Sequence, residues 1–204
     1  MVENLHTWLL TSVDRAEELQ AYLVSRKTLR EKYAQARRIN RIPVTMPTGQ
    51  TFTLSAGGQN GLIAKIIEDF CPNFTLNGNV IYVGDADEDW AIFDEEGFKE
   101  LGIAVDSHGK MPDVVVHHVE RNWLVLIEAV TSHGPVDPKR RNDLKTLFKG
   151  SSAGLVFVAA FLIRKARVKY LDEISWETEV WVAESPDHLI HFNGERFLWP
   201  YEGQ

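Results

Sequence analysis

Two carboxylates stand at positions where an apolar environment makes a negative charge costly. Glu128 lies inside residues 123–130, a run in which all the other residues are apolar. An ionised, unpaired carboxylate buried there would cost several kcal/mol, so it needs a buried arginine partner, a metal ion or a function. The second acid, Asp113, follows Pro112 and opens the apolar run 114–116. Taken alone, a Pro-Asp pair indicates a turn.

The spacing of these two acids predicts a shared metal site. Fourteen residues separate Asp113 from Glu128, and residues 120–122 between the two apolar runs are typical of a hairpin turn. Neighbouring strands would then each present one carboxylate, and two carboxylates at close quarters repel each other unless a divalent cation lies between them. Oxygen ligands suit Mg²⁺, which keeps bound waters that can attack a phosphodiester. We therefore predict that Asp113 and Glu128 are metal ligands for Mg²⁺.

The pattern of apolar runs and turn residues predicts an α/β fold that positions these acids. Strands are predicted at residues 80–83, 114–116, 123–130, 155–161 and 180–182. Helices are predicted at residues 59–70, where Pro72 ends the helix, and at 94–101, 137–149 and 165–174. A turn is expected at residues 191–196. This order predicts a mixed central sheet flanked by helices.

The first fifty residues differ in charge from the rest. Residues 1–50 hold eight Lys/Arg against five Asp/Glu, whereas residues 51–204 hold fourteen against twenty-four. Residues 13–38 are predicted to form one long helix, and Pro43 and Pro47 mark an extended connector. We divide the chain into a basic, helical amino-terminal segment, residues 1–50, and a main domain, residues 51–204. The basic run at residues 26–41 is either a solvated helix face or a surface that follows a phosphate backbone.

Composition excludes several classes of protein. The chain has 204 residues, of which 44% are hydrophobic and 25% charged, and its net charge is −7, so only local basic patches could contact nucleic acid. A single cysteine, Cys71, cannot form an intrachain disulfide, and the first ten residues, which include Glu3, Asn4 and His6, do not resemble a secretory leader. The longest apolar run has ten residues, too few to span a membrane. We expect a cytoplasmic protein that does not insert into membranes.

Five blocks of sequence resemble the catalytic domain of the BsuBI/PstI type II restriction endonucleases. They are residues 58–63 (GQNGLI), 108–113 (HGKMPD), 128–140 (EAVTSHGPVDPKR), 176–181 (WETEVW) and 188–194 (HLIHFNG). The resemblance covers about residues 52–201. The pattern Pro112-Asp113, fourteen residues, Glu128-x-Val130 also resembles the core of the PD-(D/E)XK nuclease superfamily, to which that family belongs.

The resemblance implies a restriction-endonuclease-like core and a specific activity. The expected protein is a Mg²⁺-dependent type II site-specific endonuclease that hydrolyses phosphodiester bonds of double-stranded DNA within a restriction-modification system. Because palindromic DNA has two-fold symmetry, a homodimer with one site per strand is expected. Two alternatives stay open: a catalytically weak or inactive DNA-binding or assembly protein that retains the fold, and a metal-dependent enzyme acting on RNA or a small phosphoester.

The sequence departs from the superfamily pattern in two ways. Val130 stands where the pattern has a lysine that polarises the attacking water. His133 or Lys110 could orient or deprotonate water in its place. The resemblance also implies a longer protein with a helical DNA-binding region ahead of the catalytic domain, whereas about fifty residues precede that domain in this sequence.

Other polar residues are candidates for contact with DNA or metal. Asn60 at the start of the first helix of the main domain could contact a phosphate or cap the helix. Glu68 is expected to be a solvated helix residue, and Asp85 a turn residue. The basic residues expected to bind DNA are Arg30, Arg37, Arg38, Lys139, Arg140 and Arg141.

Overall fold

The computed structural model describes residues 40–104, 110–131 and 134–192, together with residues 15, 17–20, 22–24, 26 and 31–32. The chain divides into two compact units at the junction between Arg41 and Ile42. Every described position from Arg15 to Lys32 is helical, in line with the long helix predicted there. The candidate DNA-binding residues Arg30, Arg37 and Arg38 lie outside the described residues.

The second unit contains a seven-stranded mixed sheet and, beside it, a two-stranded hairpin, as far as the described residues extend. The hairpin strands are β1 (Ile42–Thr45) and β2 (Thr51–Leu54). The sheet strands are β3 (Asn79–Gly84), β4 (Trp90–Phe93), β5 (Val114–His118), β6 (Trp123–Val130), β7 (Gly154–Phe161), β8 (Thr178–Val182) and β9 (Leu189–Phe192). Their spatial order is β4-β3-β5-β6-β7-β8-β9. Strands β6, β7 and β8 run parallel, and the remaining pairs are antiparallel.

Helices cover both faces of this sheet. They are α1 (Gly58–Lys65), which continues through a π-helical turn (Ile66–Phe70) into α2 (Cys71–Phe74), then α3 (Glu95–Glu100), α4 (Pro138–Leu147) and α5 (Arg164–Val168). A 3-10 turn, Val119–Arg121, joins β5 to β6. In the described ranges, no helix combines the length and the apolar character that a bilayer crossing requires.

The central strand β6 separates two hydrophobic cores because its side chains alternate between the faces. Leu124, Leu126 and Val130 belong to the core that contains Leu144 of α4. Val125, Ile127 and Ala129 belong to the core that contains the apolar residues of α1 and the π-helical turn. Glu128 has the same parity as Leu126 and Val130. The strand period therefore directs this acid toward the face covered by α4.

The bounds of β6 agree with the sequence prediction, and the other four predicted strands are present with ends shifted by at most two residues. Helix α4 begins as predicted, because the Asp137 carboxylate caps it by accepting a hydrogen bond from the Arg140 N–H at 2.6 Å. The short acidic helix is also present as α3, capped by Asp94. The expected mixed sheet flanked by helices is therefore confirmed.

The prediction of an extended connector at Pro43 and Pro47 was wrong. These residues belong to the β1–β2 hairpin, in which Pro43 pairs with Thr53 and Pro47 lies in the turn. Proline is tolerated because a two-stranded hairpin leaves one edge of each strand without a partner strand. The hairpin packs its buried Val44 and Leu54 against the core of α1, so residues 42–50 fold with the second unit.

The prediction that Pro72 ends the first helix of this unit was also wrong. The helical path continues to Phe74, with Pro72 near the start of α2. A proline inside a regular α-helix clashes with the carbonyl four residues earlier. The widened π-helical turn that precedes Pro72 changes the hydrogen-bonding pattern there, which explains how the chain accommodates the ring.

Three further elements near the carboxyl end and the sheet edges differ from prediction. The helix expected at residues 165–174 ends at Val168, after which the chain forms turns. Strand β9 occupies the first residues of the turn expected at 191–196, whose remainder lies outside the described residues. Strands β4 and β9 are the two edges of the sheet, and neither was predicted, since an edge strand buries too little surface to show strong alternation.

Candidate active site

The fold brings Asp113 and Glu128 together at one end of the β5–β6 pair. Val114 pairs with Ile127 in the antiparallel register, so the next position on each strand places Asp113 opposite Glu128. Both residues have the parity of the face covered by α4. The hairpin geometry inferred from their spacing is therefore present.

Asp113 is held in place by hydrogen bonds to both carboxylate oxygens. Its Oδ1 accepts from the Gln59 Nε2 at 2.7 Å, and its Oδ2 accepts from the backbone N–H of Ala129 at 2.7 Å. The backbone carbonyl of Asp113 accepts from the Gly84 N–H at 2.8 Å. These two donors are neutral groups that fix the orientation of the carboxylate.

Glu128 is paired with an arginine from α4. The Arg140 Nε donates to Glu128 Oε1 at 2.8 Å, and the Arg140 Nη2 lies 2.7 Å from the same oxygen. The Arg140 side chain is 20% exposed and the Glu128 side chain is 15% exposed. Arg140 therefore offsets part of the cost of placing Glu128 in a central strand. It is the arginine partner that was considered from the sequence as one explanation for Glu128.

Burial raises the pKa of Glu128 to about 7, an increase that the Arg140 guanidinium opposes and the nearby Asp113 carboxylate reinforces. Desolvation outweighs the arginine because the carboxylate has lost most of its contact with water. A carboxyl group in this state gains from any further positive charge that can reach it. A divalent cation would supply that charge.

An open cavity of about 380 Å³ exposes this pair to solvent. Its lining residues are Gln59, Lys110, Asp113, Glu128, Ala129, Gly134, Pro135, Asp137, Lys139, Arg140 and Asp143. Within the described part of the chain, no group of three or more His, Cys, Asp or Glu side chains could hold a metal ion. Mg²⁺ does not need one, because it commonly binds through one or two carboxylates and retains several waters. The donor set therefore fits Mg²⁺.

The position of the superfamily lysine and Lys110, one of its two predicted replacements, lie in different environments. Val130 is 4% exposed and packed in the core beneath α4, so its position has no room for a cation. Lys110 is exposed and lines the cavity. His133 lies outside the described residues.

The prediction that Asn60 contacts a phosphate is corrected by its burial. Asn60 is 0% exposed, and its amide donates to the Ser55 carbonyl at 2.8 Å and to Asp85 Oδ1 at 3.2 Å. Its own oxygen accepts from the Ala86 N–H at 3.2 Å. The capping alternative was also wrong, since the helix begins after Gly57 without a side-chain cap. Asn60 instead connects β2, α1 and the end of β3.

Asp85 and Glu68 have local structural contacts. Burial works to raise the pKa of Asp85, but hydrogen bonds from the Asp87 and Ser55 backbone and from Asn60 outweigh it and lower that pKa below its ordinary range. Glu68 is exposed and accepts from the Thr45 N–H at 3.0 Å. These contacts agree with the interpretation of Asp85 as a turn residue and of Glu68 as a solvated helix residue.

The three consecutive basic residues of α4 point in different directions, as successive helix positions must. Lys139 is exposed and pairs with Asp143 at 2.7 Å. Arg140 turns inward to Glu128. Arg141 is 17% exposed, pairs with Glu177 and lies over the Phe157 ring. Of the three, Lys139 is the one that keeps its charge at the surface.

Two residues of the site were not assigned to it by the sequence prediction. Gln59 was not singled out, although a polar residue directly after Gly57-Gly58 in the first turn of an apolar helix was a usable signal. Arg140 was expected to bind phosphate, and nothing in its local sequence indicates that it faces the buried acid. Only the packing of α4 across the end of β6 reveals that contact.

The mixed sheet flanked by helices, with Asp113 at the start of one central strand and Glu128 opposite it, has the architecture of the PD-(D/E)XK, restriction-endonuclease-like fold. The family model for the BsuBI/PstI restriction endonuclease domain matches residues 42–195. The chain belongs to that family.

Named relatives agree with this assignment. The chain is 54% identical over 187 residues to the type II restriction enzyme BsuBI of Bacillus subtilis, covering 92% of this chain and 59% of the relative. It is 34% identical over 196 residues to the type II restriction enzyme AplI of Arthrospira platensis, covering 92% of this chain and 60% of that enzyme. The solved structure of the SdaI restriction endonuclease superimposes with a TM-score of 0.75 at 48% identity, covering 83% of this chain and 54% of that one. The chain thus spans little more than half the length of these proteins.

Proposed function

We propose that this chain carries the catalytic site of a Mg²⁺-dependent type II site-specific endonuclease of a restriction-modification system. Its substrate is double-stranded DNA, and its reaction is hydrolysis of phosphodiester bonds. The observation that carries the proposal is the placement of Asp113 opposite Glu128 in a restriction-endonuclease-like sheet, at the wall of an open cavity. The named relatives are type II restriction enzymes, which supports the same reaction.

Asp113 and Glu128 would hold the metal ion, which lowers the pKa of a bound water and stabilises negative charge on the phosphate. The protein contributes orientation: Gln59 and the Ala129 N–H fix Asp113, and Arg140 fixes Glu128. Two groups remain candidates for orienting or deprotonating the water, Lys110 at the cavity wall and His133.

DNA binding and symmetry complete the proposal. Arg30, Arg37 and Arg38 of the amino-terminal segment, with Lys139 of α4, would contact phosphates. A homodimer would place one site on each strand of a palindromic target. The cytoplasm, where such a system meets incoming DNA, is the proposed location.

Plasmid cleavage tests the proposed reaction. We expect the protein to linearise supercoiled plasmid with Mg²⁺ and to leave it intact with EDTA. Asp113→Asn or Glu128→Gln should abolish cleavage, because each removes a ligand whose charge holds the metal. Both variants should keep DNA affinity within a modest factor, measured by gel shift with Ca²⁺.

A matched control is Glu120→Gln, an exposed carboxylate in the β5–β6 turn at the other end of the same strands. It should cleave as the unmodified protein does. Unchanged turnover in either Asp113→Asn or Glu128→Gln would remove these residues from the metal site and overturn the proposed function.

A second candidate function is DNA binding without cleavage. The burial of Val130 at the position of the superfamily lysine favours it, since the usual cation is missing from that strand. Duplex binding without any nicking, over a range of Mg²⁺ and Mn²⁺ concentrations, would select this alternative.

A further inference from the structure

Arg140 joins three parts of the candidate site through one guanidinium group. Its Nε and Nη2 contact Glu128 Oε1. Its Nη1 donates to the Lys110 carbonyl and its Nη2 to the Met111 carbonyl, each at 2.9 Å. The same side chain therefore holds the acid of β6 and the backbone that leads directly into Asp113.

Both contacts to Glu128 fall on a single oxygen. Among the described residues, Glu128 Oε2 has no hydrogen-bond partner given by the structure. Arg140 thus fixes the direction of the carboxylate from one side and leaves its second oxygen available to a cation. A carboxylate that is oriented in this way loses less rotamer freedom when it binds a metal ion.

The other cations near the site cannot make the same contacts. Lys110 contributes only its backbone carbonyl to this network, and its side chain is exposed. Lys139 pairs with Asp143 at the surface. Val130, on the same face of β6 as Glu128, is apolar and buried. Arg140 is the cation that forms an ion pair with Glu128.

We propose that Arg140 is a positioning residue of the nuclease site, one that orients Glu128 and the Lys110–Met111 backbone. This inference rests on the proposed function, because it assigns Arg140 to the same metal-binding pair. It replaces the sequence-based expectation that Arg140 binds a DNA phosphate.

This role has a signature that a purely structural contact lacks. A guanidinium on Glu128 repels a divalent ion and competes with it for Oε1, so removing that charge should tighten metal binding when both proteins are compared at a pH high enough to keep Glu128 ionised. The same change releases Glu128 and the backbone before Asp113, so it should slow cleavage. Loss of a residue that only stabilises the fold would weaken both properties together.

The test compares Arg140→Met and Arg140→Lys in the full chain. Mn²⁺ affinity without DNA is measured by calorimetry, and single-turnover cleavage is measured at saturating Mn²⁺. For Arg140→Met we expect Mn²⁺ to bind about fivefold more tightly or better, the effect of one unit charge at contact distance even at the dielectric constant of water. Its cleavage rate should fall about 10–100-fold, as is common when the support of a metal ligand is removed.

Arg140→Lys separates charge from geometry. One ammonium keeps the charge but cannot hold Glu128 and two carbonyls in the planar fork that arginine provides. Its Mn²⁺ affinity should stay near that of the unmodified protein, while its cleavage rate falls. Arg121→Met, which removes a cation stacked on Trp123 at the far end of β6, is the control and should change neither quantity.

Each outcome decides the proposal. Unmodified cleavage by Arg140→Met or Arg140→Lys overturns it, as does a parallel loss of Mn²⁺ affinity and cleavage in Arg140→Met. Where Arg140→Met fails to fold, Arg140→Lys carries the test alone. If the unmodified protein binds Mn²⁺ but cleaves nothing, the proposed function fails, while tighter Mn²⁺ binding by Arg140→Met still supports the contact between Arg140 and the metal site.

Discussion

Glu128 illustrates how one residue can be both a cost to the fold and the centre of its chemistry. Its carboxyl group lies in the central strand, where burial raises its pKa to about 7, above the ordinary value of 4.5. Arg140 offsets this effect only in part. Ionised Glu128 therefore costs stability in the metal-free protein, and a metal ion bound there would recover part of that cost.

The sign of the resulting pH dependence follows from linkage. Because the folded-state pKa is raised, the folded state binds the proton more tightly than the unfolded state does. The associated stability is present in full below about pH 4.5 and is lost as the pH rises through about 7. For a shift of this size the loss is on the order of 3 kcal/mol at most, taking ~1.4 kcal/mol per pKa unit.

We expect Glu128→Gln to remove this contribution. Urea unfolding in EDTA between pH 5 and pH 8 should show the unmodified protein losing stability relative to Glu128→Gln as the pH rises. The comparison cancels the titration of all other groups that the two proteins share. A constant difference across this range would mean that Glu128 titrates near its ordinary pKa.

At the scale of elements, the site depends on contacts between segments that are distant in sequence. Helix α1 brings Gln59 to Asp113, and α4 brings Arg140 to Glu128. The acids could be predicted from sequence because a charge in an apolar strand is anomalous by itself. Their partners could not, because hydrogen bonds that span 54 and 12 residues depend on how each helix packs against the sheet.

The same reasoning explains which elements were predictable. Strand β6 was predicted with its observed ends, because a strand buried on both faces is apolar along its whole length. The hairpin strand β1 was missed because Pro43 and Pro47 are usually read as breakers. Pro72 was misassigned because a π-helical turn has no clear sequence signal.

Gln59→Ala tests the link between α1 and the site. Losing this donor should let the Asp113 carboxylate rotate, and cleavage should fall about 10–100-fold, as for other residues that orient metal ligands. Because Gln59 lies at the surface of an open cavity, the change in unfolding free energy should be small. The measurements are single-turnover cleavage and urea unfolding.

Asn142→Ala, which removes an exposed amide on α4, is the matched control and should retain full activity. If Gln59→Ala also retains it, the other contacts of Asp113 hold its carboxylate well enough, and the hydrogen bond from Gln59 has no part in the chemistry.

At the scale of the whole molecule, charge is divided between the two parts of the chain. The main domain is acidic overall, while residues 1–50 carry a net charge of +3. DNA binding by an acidic domain needs a local source of positive charge, and the amino-terminal segment is the largest one in the sequence. The relatives extend well beyond this chain, which covers 59% of BsuBI.

Neutralising Arg30, Arg37 and Arg38 together tests whether the amino-terminal segment supplies the positive charge for DNA binding. Replacing all three with Gln should weaken duplex binding and reduce the slope of log affinity against log salt by up to about three, one unit for each phosphate that the protein no longer neutralises. Mn²⁺ affinity of the site should not change. The measurement is fluorescence anisotropy with a duplex at several salt concentrations, in Ca²⁺.

Sedimentation of the unmodified protein with and without duplex tests the proposed dimer, whose mass is expected to be twice 23.2 kDa. An unchanged salt slope in the triple variant would place DNA binding elsewhere. A monomer in both states that nicks only one strand would contradict the two-fold arrangement.

The turn between β5 and β6 has a consequence for how this domain can change over evolution. The 3-10 turn Val119–Arg121 and Asn122, whose left-handed backbone closes it, lie at the opposite end of the strands from Asp113 and Glu128. An insertion in this turn would lengthen the spacing between the acids without altering the pairing of Val114 with Ile127. A single-residue insertion within β6 would instead rotate Glu128 to the opposite face. Natural length variation should therefore be tolerated in the turn and excluded from the strand, which makes the turn the place to graft a peptide tag.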